Sequence, residues 1–182
     1  MHRTLIKSDW ILAAILGTTA GATDVIGFLG LGGLFTAHIT GNLVVLTAHY
    51  VSGGFSQVGP ILSVPVFIAV LGIVTVFFAN KSVRATRRTL LILQMGLLAA
   101  FLTLAVTLGP FTNPETGTAV FAGMLGVAAM TTQNALVRLA LPGFPSTAVM
   151  TTNTTQLAVD LAHLFRAKDS RKISAPSSAA LG

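Results

Sequence analysis

Cysteine is absent from this 182-residue chain. That excludes a disulfide framework and thiol chemistry, and it leaves redox compartment unmarked. Charge is scarce: 9% of residues are Asp, Glu, Lys or Arg, against about 25% in a soluble domain. Acids are scarcer than bases, 5 against 11. No His, Asp or Glu set stands at metal-ligand spacing, so no metal or other cofactor is expected. Gly-x-Ser-x-Gly, P-loop and dinucleotide fingerprints are missing. Gly30-Leu31-Gly32-Gly33 lacks the strand–turn–helix setting of a phosphate loop. The chain is not read as an enzyme.

Apolar residues fill the space that charge leaves. They make up 53% of the chain, and mean hydropathy is +0.81. Long apolar runs alternate with short charged or Gly/Pro-rich breaks, the pattern expected when each run spans lipid. Six hydrophobic segments follow: about Trp10 to Leu31, Phe35 to Val51, Pro60 to Ala79, Thr89 to Leu108, Thr118 to Leu141 and Ser146 to Phe165. Gly109-Pro110 with Asn113-Pro114, and Pro142-Gly143-Phe144-Pro145, break the chain by proline and turn chemistry. The fold class expected is an all-α integral membrane protein. Residues 1–9 form the N-terminus, 10–166 one transmembrane domain, and 167–182 a polar tail. Arg3 and Lys7 ahead of Ile11–Leu16, with Ala20-Gly21-Ala22, also resemble a signal peptide. Cleavage there would strand Asp24 at a new terminus, so the segment is read as retained.

Net charge is +6. A basic total can signal nucleic acid, but here the bases flank apolar segments, which favours topology control and anionic lipid over nucleic acid. Three clusters, Arg3/Lys7, Lys81/Arg84/Arg87/Arg88 and Arg166/Lys168/Arg171/Lys172, hold ten of the 11 bases. The positive-inside rule wants all three in the cytoplasm, with the N-terminus. Six complete crossings cannot deliver that. Segments two and six are short, and their polar openings leave each with fewer than the roughly 20 apolar residues a span needs. Both open with Thr and Asn, so they read as half-helices that begin within the membrane.

A repeat supports this reading. Phe35-Thr36-Ala37-His38-Ile39-Thr40-Gly41-Asn42 has a partner in Ser146-Thr147-Ala148-Val149-Met150-Thr151-Thr152-Asn153, and both contain T-A-x-x-T-x-N. A polar motif used twice in hydrocarbon points to two related halves around a shared site. Repeat one covers about residues 10–80 and repeat two, incomplete, about 117–166. With segments two and six not crossing, the halves enter from opposite faces, as in many secondary transporters.

Candidate substrate-binding residues follow. Asp24 lies fourteen positions after Trp10, ~21 Å in from an interfacial tryptophan at helical rise. An intramembrane acid is a functional candidate; the structural alternative is that it caps the break at Gly30–Gly33. Its repeat counterpart is Asn134 beside Gln133, which either contact solute or bridge helices. Thr40, Asn42, Thr151 and Asn153 sit at the starts of the second helices. They serve there as caps or as part of a helix-end site. His38 has Val149 as its counterpart. It reads as a satisfied core residue, with proton handling as the sharper alternative. Ala13, Gly17 and Gly21 form a small-residue stripe. Close packing within the chain is its first use and homo-oligomer formation its second. Asp160 and Arg138 are placed at the membrane interface.

The combination Ala20-Gly21-Ala22-Thr23-Asp24, Thr40-Gly41-Asn42, Gln133-Asn134-Ala135 and Thr151-Thr152-Asn153, in that order, resembles the bacterial YoaK family. The resemblance implies a multi-pass inner-membrane protein of unassigned function, sometimes described as a small-molecule transporter. Thr152 stands where that family usually has Gly. Similar proteins continue with further hydrophobic segments past the point where this chain ends, so the resemblance implies a C-terminally shortened form. The functional expectation is transport of a small polar solute. A structural or assembly role is the alternative, and an intramembrane lipid-modifying enzyme a more distant one.

Overall fold

The computed structural model describes residues 2–53 and 58–141, with side chains from Trp10 onward. The described residues are helical and contain no strand: α1 (His2–Gly30), α2 (Ile39–Val51), α3 (Val58–Phe78), α4 (Val83–Leu108) and α5 (Gly117–Ala140). Four of them are long and apolar enough to cross a membrane, and α2 is a shorter apolar helix. This is an all-α membrane protein. Segment six, the tail, Thr151 and Asn153 lie outside the described residues.

The helices start where the local chemistry allows. Ser82 caps α4 by accepting from Ala85 N at 3.4 Å. Thr116 caps α5 by accepting from Ala119 N at 3.4 Å. The first cap corrects the expected start at Thr89. Arg84, Arg87 and Arg88 therefore lie on the first turns of α4, because Ser82 satisfies a free amide nearly two turns before the apolar run begins. The start of α1 also precedes the expected Trp10.

Three apolar clusters fix how the helices run. Leu16 of α1 meets Val74 of α3, Leu90 of α4 and Leu136 of α5. At the other end, Leu31 and Leu34 meet Phe101 of α4 and Ala119 and Ala122 of α5. Ala20, Ala37, Ala129 and Met130 pack between these two levels. The early half of α1 therefore lies beside the late half of α3, the early half of α4 and the late half of α5. The helices α1, α3, α4 and α5 alternate in direction. The end of α1 and the start of α3 share one end of the bundle, so α2 leaves and returns to that end. The Lys81–Arg88 cluster shares the opposite end with the start of α1.

The central helix is α5. Buried positions make up 72% of its most apolar stretch, against 11% in α3. Residues 129–137 are buried around the full turn, as expected of a helix enclosed on all sides. The outer helices give their apolar side chains to lipid: Ile68, Val76 and Phe77 of α3 are 64%, 78% and 71% exposed. Lipid tails supply the contacts that water could not.

The expected Ala13–Gly17–Gly21 stripe is not where α1 makes its closest packing. The buried face runs through Leu16, Ala20, Asp24 and Gly27. A Cβ added at Gly17 meets nothing within 4 Å, whereas one at Gly27 falls 2.8 Å from the Leu34 carbonyl oxygen. Backbone approach is needed where the loop crosses, one face round from the stripe.

Candidate functional site: a polar break at membrane depth

The chain between α1 and α2 is not helical. Gly32 and Gly33, at φ 66° and 88°, turn it back after α1, in the left-handed region that suits glycine. Residues 34–38 then lie against Gly27 of α1 and Gly126 of α5. A Cβ on Gly126 would fall 2.9 Å from Thr36 Cγ2. Non-helical backbone at this depth is tolerated only where protein or a water-filled cavity satisfies its polar groups. Two side chains do so.

Asp24 is the first. It is 5% exposed. Its Oδ1 accepts from Thr36 N at 2.7 Å, Thr36 Oγ1 at 3.0 Å and Ala37 N at 2.6 Å. Three donors leave no room for a proton on that oxygen. Its Oδ2 pairs with His38 Nδ1. Asn42 is the second, and it is fully buried. Its Oδ1 accepts from Phe35 N at 2.8 Å, and its Nδ2 donates to Phe35 O at 2.7 Å and to Ser63 Oγ of α3 at 2.8 Å. One amide thus closes both backbone groups of Phe35 and ties the loop to α3. The expected capping role is corrected. His38 occupies the N-cap of α2 with no side-chain cap bond. Asn42 reaches back seven residues instead, because the loop offers it a matched donor and acceptor. Thr40 faces outward.

A second polar group lies lower in the bundle. Gln133 Nε2 donates to Leu16 O at 2.9 Å, and its Oε1 accepts from Gln94 Nε2 at 2.6 Å. The chain of donors fixes both amide orientations. Leu16 and Asp24 are eight residues apart on α1, so the two groups are about 12 Å apart along it. Asn134 is 5% exposed and adjacent to Gln133. Thr131 and Thr132 bond back to the carbonyls of Val127 and Ala128.

The structure therefore gathers Asp24, His38 and Asn42 at one break and places Gln133 and Asn134 on the central helix. Thr40 does not join them. Sequence reading missed Gln94 and Ser63. Gln94 carried a signal, as the one amide in the apolar run of segment four; a serine near a helix start carried none.

Two buried polar atoms have no partner among the described residues: His38 Nε2 and Gln94 Oε1. Almost all the other buried side-chain polar atoms are satisfied. An unpartnered buried group costs roughly 1–3 kcal/mol, so these two are places where a hydrogen-bonding molecule has something to gain.

Fold and break together define a multi-pass α-helical membrane protein with a polar interruption packed inside its bundle. Residues 12–182 match the family model DUF1275, described as a protein of unknown function, and the chain belongs to that family. It is also similar to the UPF0700 transmembrane protein YoaK of Bacillus subtilis (strain 168), 57% identical over 35 residues. That stretch covers 19% of this chain and 16% of the relative. No solved structure matches.

Proposed function

We propose that the chain carries a small polar solute across the bacterial inner membrane, with the solute passing the break at residues 31–42. The observation that supports this is the pair of unpartnered buried atoms, His38 Nε2 and Gln94 Oε1, among described residues whose other buried side-chain polar atoms are satisfied. With Nδ1 donating to Asp24, Nε2 of a neutral imidazole accepts, as Gln94 Oε1 does, so a solute rich in hydrogen-bond donors recovers what these atoms lack. Both atoms are closed off in this state, so the solute reaches them through the helix movements of alternating access. An interruption of helix at membrane depth is itself common among transporters. On this reading Thr151 and Asn153 form the counterpart break of an inverted repeat, and the protein is not a catalyst. The N-terminus and the Lys81–Arg88 turn share one end of the bundle, and the positive-inside rule makes that end cytoplasmic.

A second reading has one observation in its favour. Asp24 and Asn42 give nearly all their hydrogen bonds to the loop, which suits a membrane assembly protein whose break is only architecture.

His38→Asn separates the two. The asparagine Nδ2 replaces the donor to Asp24, and the atom at Nε2 is lost. A thermal-shift screen over small polar solutes compares this variant with wild type. Transport predicts a solute that stabilises wild type, loses that effect in the variant, and crosses proteoliposomes bearing wild type. A variant as stable as wild type, with no solute stabilising or crossing in either, overturns the transport reading and leaves the assembly one.

A further inference from the structure

The first turns of α4 carry an arrangement that the polar break does not use. Arg84 and Arg88, one helical turn apart, line an open groove of about 610 Å³ with Ser82, Ala85, Thr89 and Ile92. Both arginines are exposed. Asp24 is turned to His38 inside the bundle. Glu115 is at the opposite end of the bundle, where its carboxylate accepts from Val58 N at 3.3 Å. Neither described carboxylate, Asp24 or Glu115, therefore reaches the two guanidinium groups.

The opposite face of α4, through Thr86, Leu90, Gln94 and Phe101, is buried. The groove therefore faces away from the bundle. Continuing from Arg84 and Arg88 at the same helical spacing come Ile92, Met95, Leu102 and Val106, which are 63%, 69%, 60% and 73% exposed. From Ile92 to Val106 this strip runs ~21 Å, most of the ~30 Å of a bilayer core. Two cations are thus followed, on one face, by an apolar strip that covers most of the membrane core. A free anion uses only the first part of that surface. An amphiphile with an anionic head uses both.

We propose that Arg84 and Arg88 form a binding site for an anionic phospholipid. Its phosphodiester sits between the two guanidiniums, whose planar forks suit phosphate oxygens, and an acyl chain lies on Ile92 and Met95. This does not rest on the transport reading, and it holds equally for an assembly protein.

The test uses the full chain, delipidated in detergent. Dioleoylphosphatidylglycerol, dioleoylphosphatidylcholine and inorganic phosphate are titrated while thermal stability is followed. The phosphatidylglycerol raises the unfolding temperature of wild type; the other two do not. A juxtamembrane cation contributes roughly fivefold in affinity for anionic lipid, so R84Q/R88Q weakens the response about thirtyfold. R138Q, which removes an exposed arginine from the late part of α5, changes it less than about threefold. A loss of about fivefold in R138Q, the same per charge as in R84Q/R88Q, means diffuse surface charge and overturns the site. A wild-type response to phosphatidylcholine equal to that for phosphatidylglycerol, or one matched by phosphate alone, also overturns it. Native mass spectrometry of wild type supplies a readout independent of the variants' folding. At equal mole fractions phosphatidylglycerol is retained over phosphatidylcholine, and equal retention refutes the proposal.

Discussion

Replacing Asn42 by leucine keeps the branched shape of the side chain and removes every polar atom that holds the break to itself. Phe35 N and Phe35 O lose the amide that answers both of them at 2.8 and 2.7 Å. Ser63 Oγ loses a donor but still donates to Pro60 O at 2.7 Å, so the cost falls on Phe35. Two orphaned backbone groups at roughly 1–3 kcal/mol each come to about 4 kcal/mol. Hydrogen bonds between membrane helices average only about 0.6 kcal/mol, which over the three bonds sets a floor of about 2 kcal/mol. In a chain of this length one kcal/mol moves the unfolding temperature by about 2–4 °C. Asn42→Leu therefore lowers it by about 4–16 °C, read by circular dichroism in detergent. Thr40→Val, two residues away on the exposed side, changes it by no more than about 2 °C. Ser63→Ala costs about 1 kcal/mol, since Asn42 Nδ2 keeps Phe35 O. If Asn42→Leu melts with wild type, or Thr40→Val is as costly, the break is not held by Asn42.

Three further outcomes follow from the same geometry. Gln133→Leu strands the whole Gln94 amide and destabilises by about 3 kcal/mol, whereas Gln94→Leu removes an unsatisfied oxygen along with the bond and costs about 1 kcal/mol; equal losses in thermal unfolding contradict the fixed amide orientations. Gly126→Val drives a side chain into Thr36 and destabilises by about 1–3 kcal/mol, while Gly17→Ala, which meets open space, is neutral or stabilising by up to ~1 kcal/mol; the reverse order of melting temperatures contradicts the packing of the break against α5. The chain has no native cysteine, so single cysteines report topology cleanly: with an impermeant maleimide on intact cells, Asn113→Cys is labelled and Ser82→Cys is not, and labelling of Ser82→Cys reverses the assigned orientation.

Hydropathy made the four long helices legible, because each must match the bilayer and little else has runs of that length. The break was legible too, since Asp24, Thr36 and Asn42 are too polar to lie idle among apolar residues. What the sequence withheld was the direction of the bonds. Asn42 two places after a threonine looks like a helix cap, and only the return of the loop past Gly32 and Gly33 brings Phe35 within its reach. The close approach at Gly27 was hidden for a related reason. A glycine stripe reads as helix against helix, yet the backbone that presses on α1 is the loop's own. Gln94 was within reach of the intramembrane-polar rule applied to Asp24, but its meaning depends on Gln133, thirty-nine residues on.

Capacity decides which residue a solute would meet. Asp24 looks like the obvious ligand, but Oδ1 already has three donors and Oδ2 has His38. Asn42 has both its amide protons committed. The unspent capacity at the break is His38 Nε2, so a solute would meet the imidazole before the acid. An Asp24→Leu variant would orphan Thr36 N and Ala37 N and lose roughly 2–6 kcal/mol. Any activity it lost would report on the fold rather than on contact with solute. His38→Asn is the opposite case, with the donor to Asp24 kept and Nε2 gone. A protein in which both variants lose function, but only Asp24→Leu loses stability, uses the break as a site. One in which His38→Asn changes neither uses it as a brace.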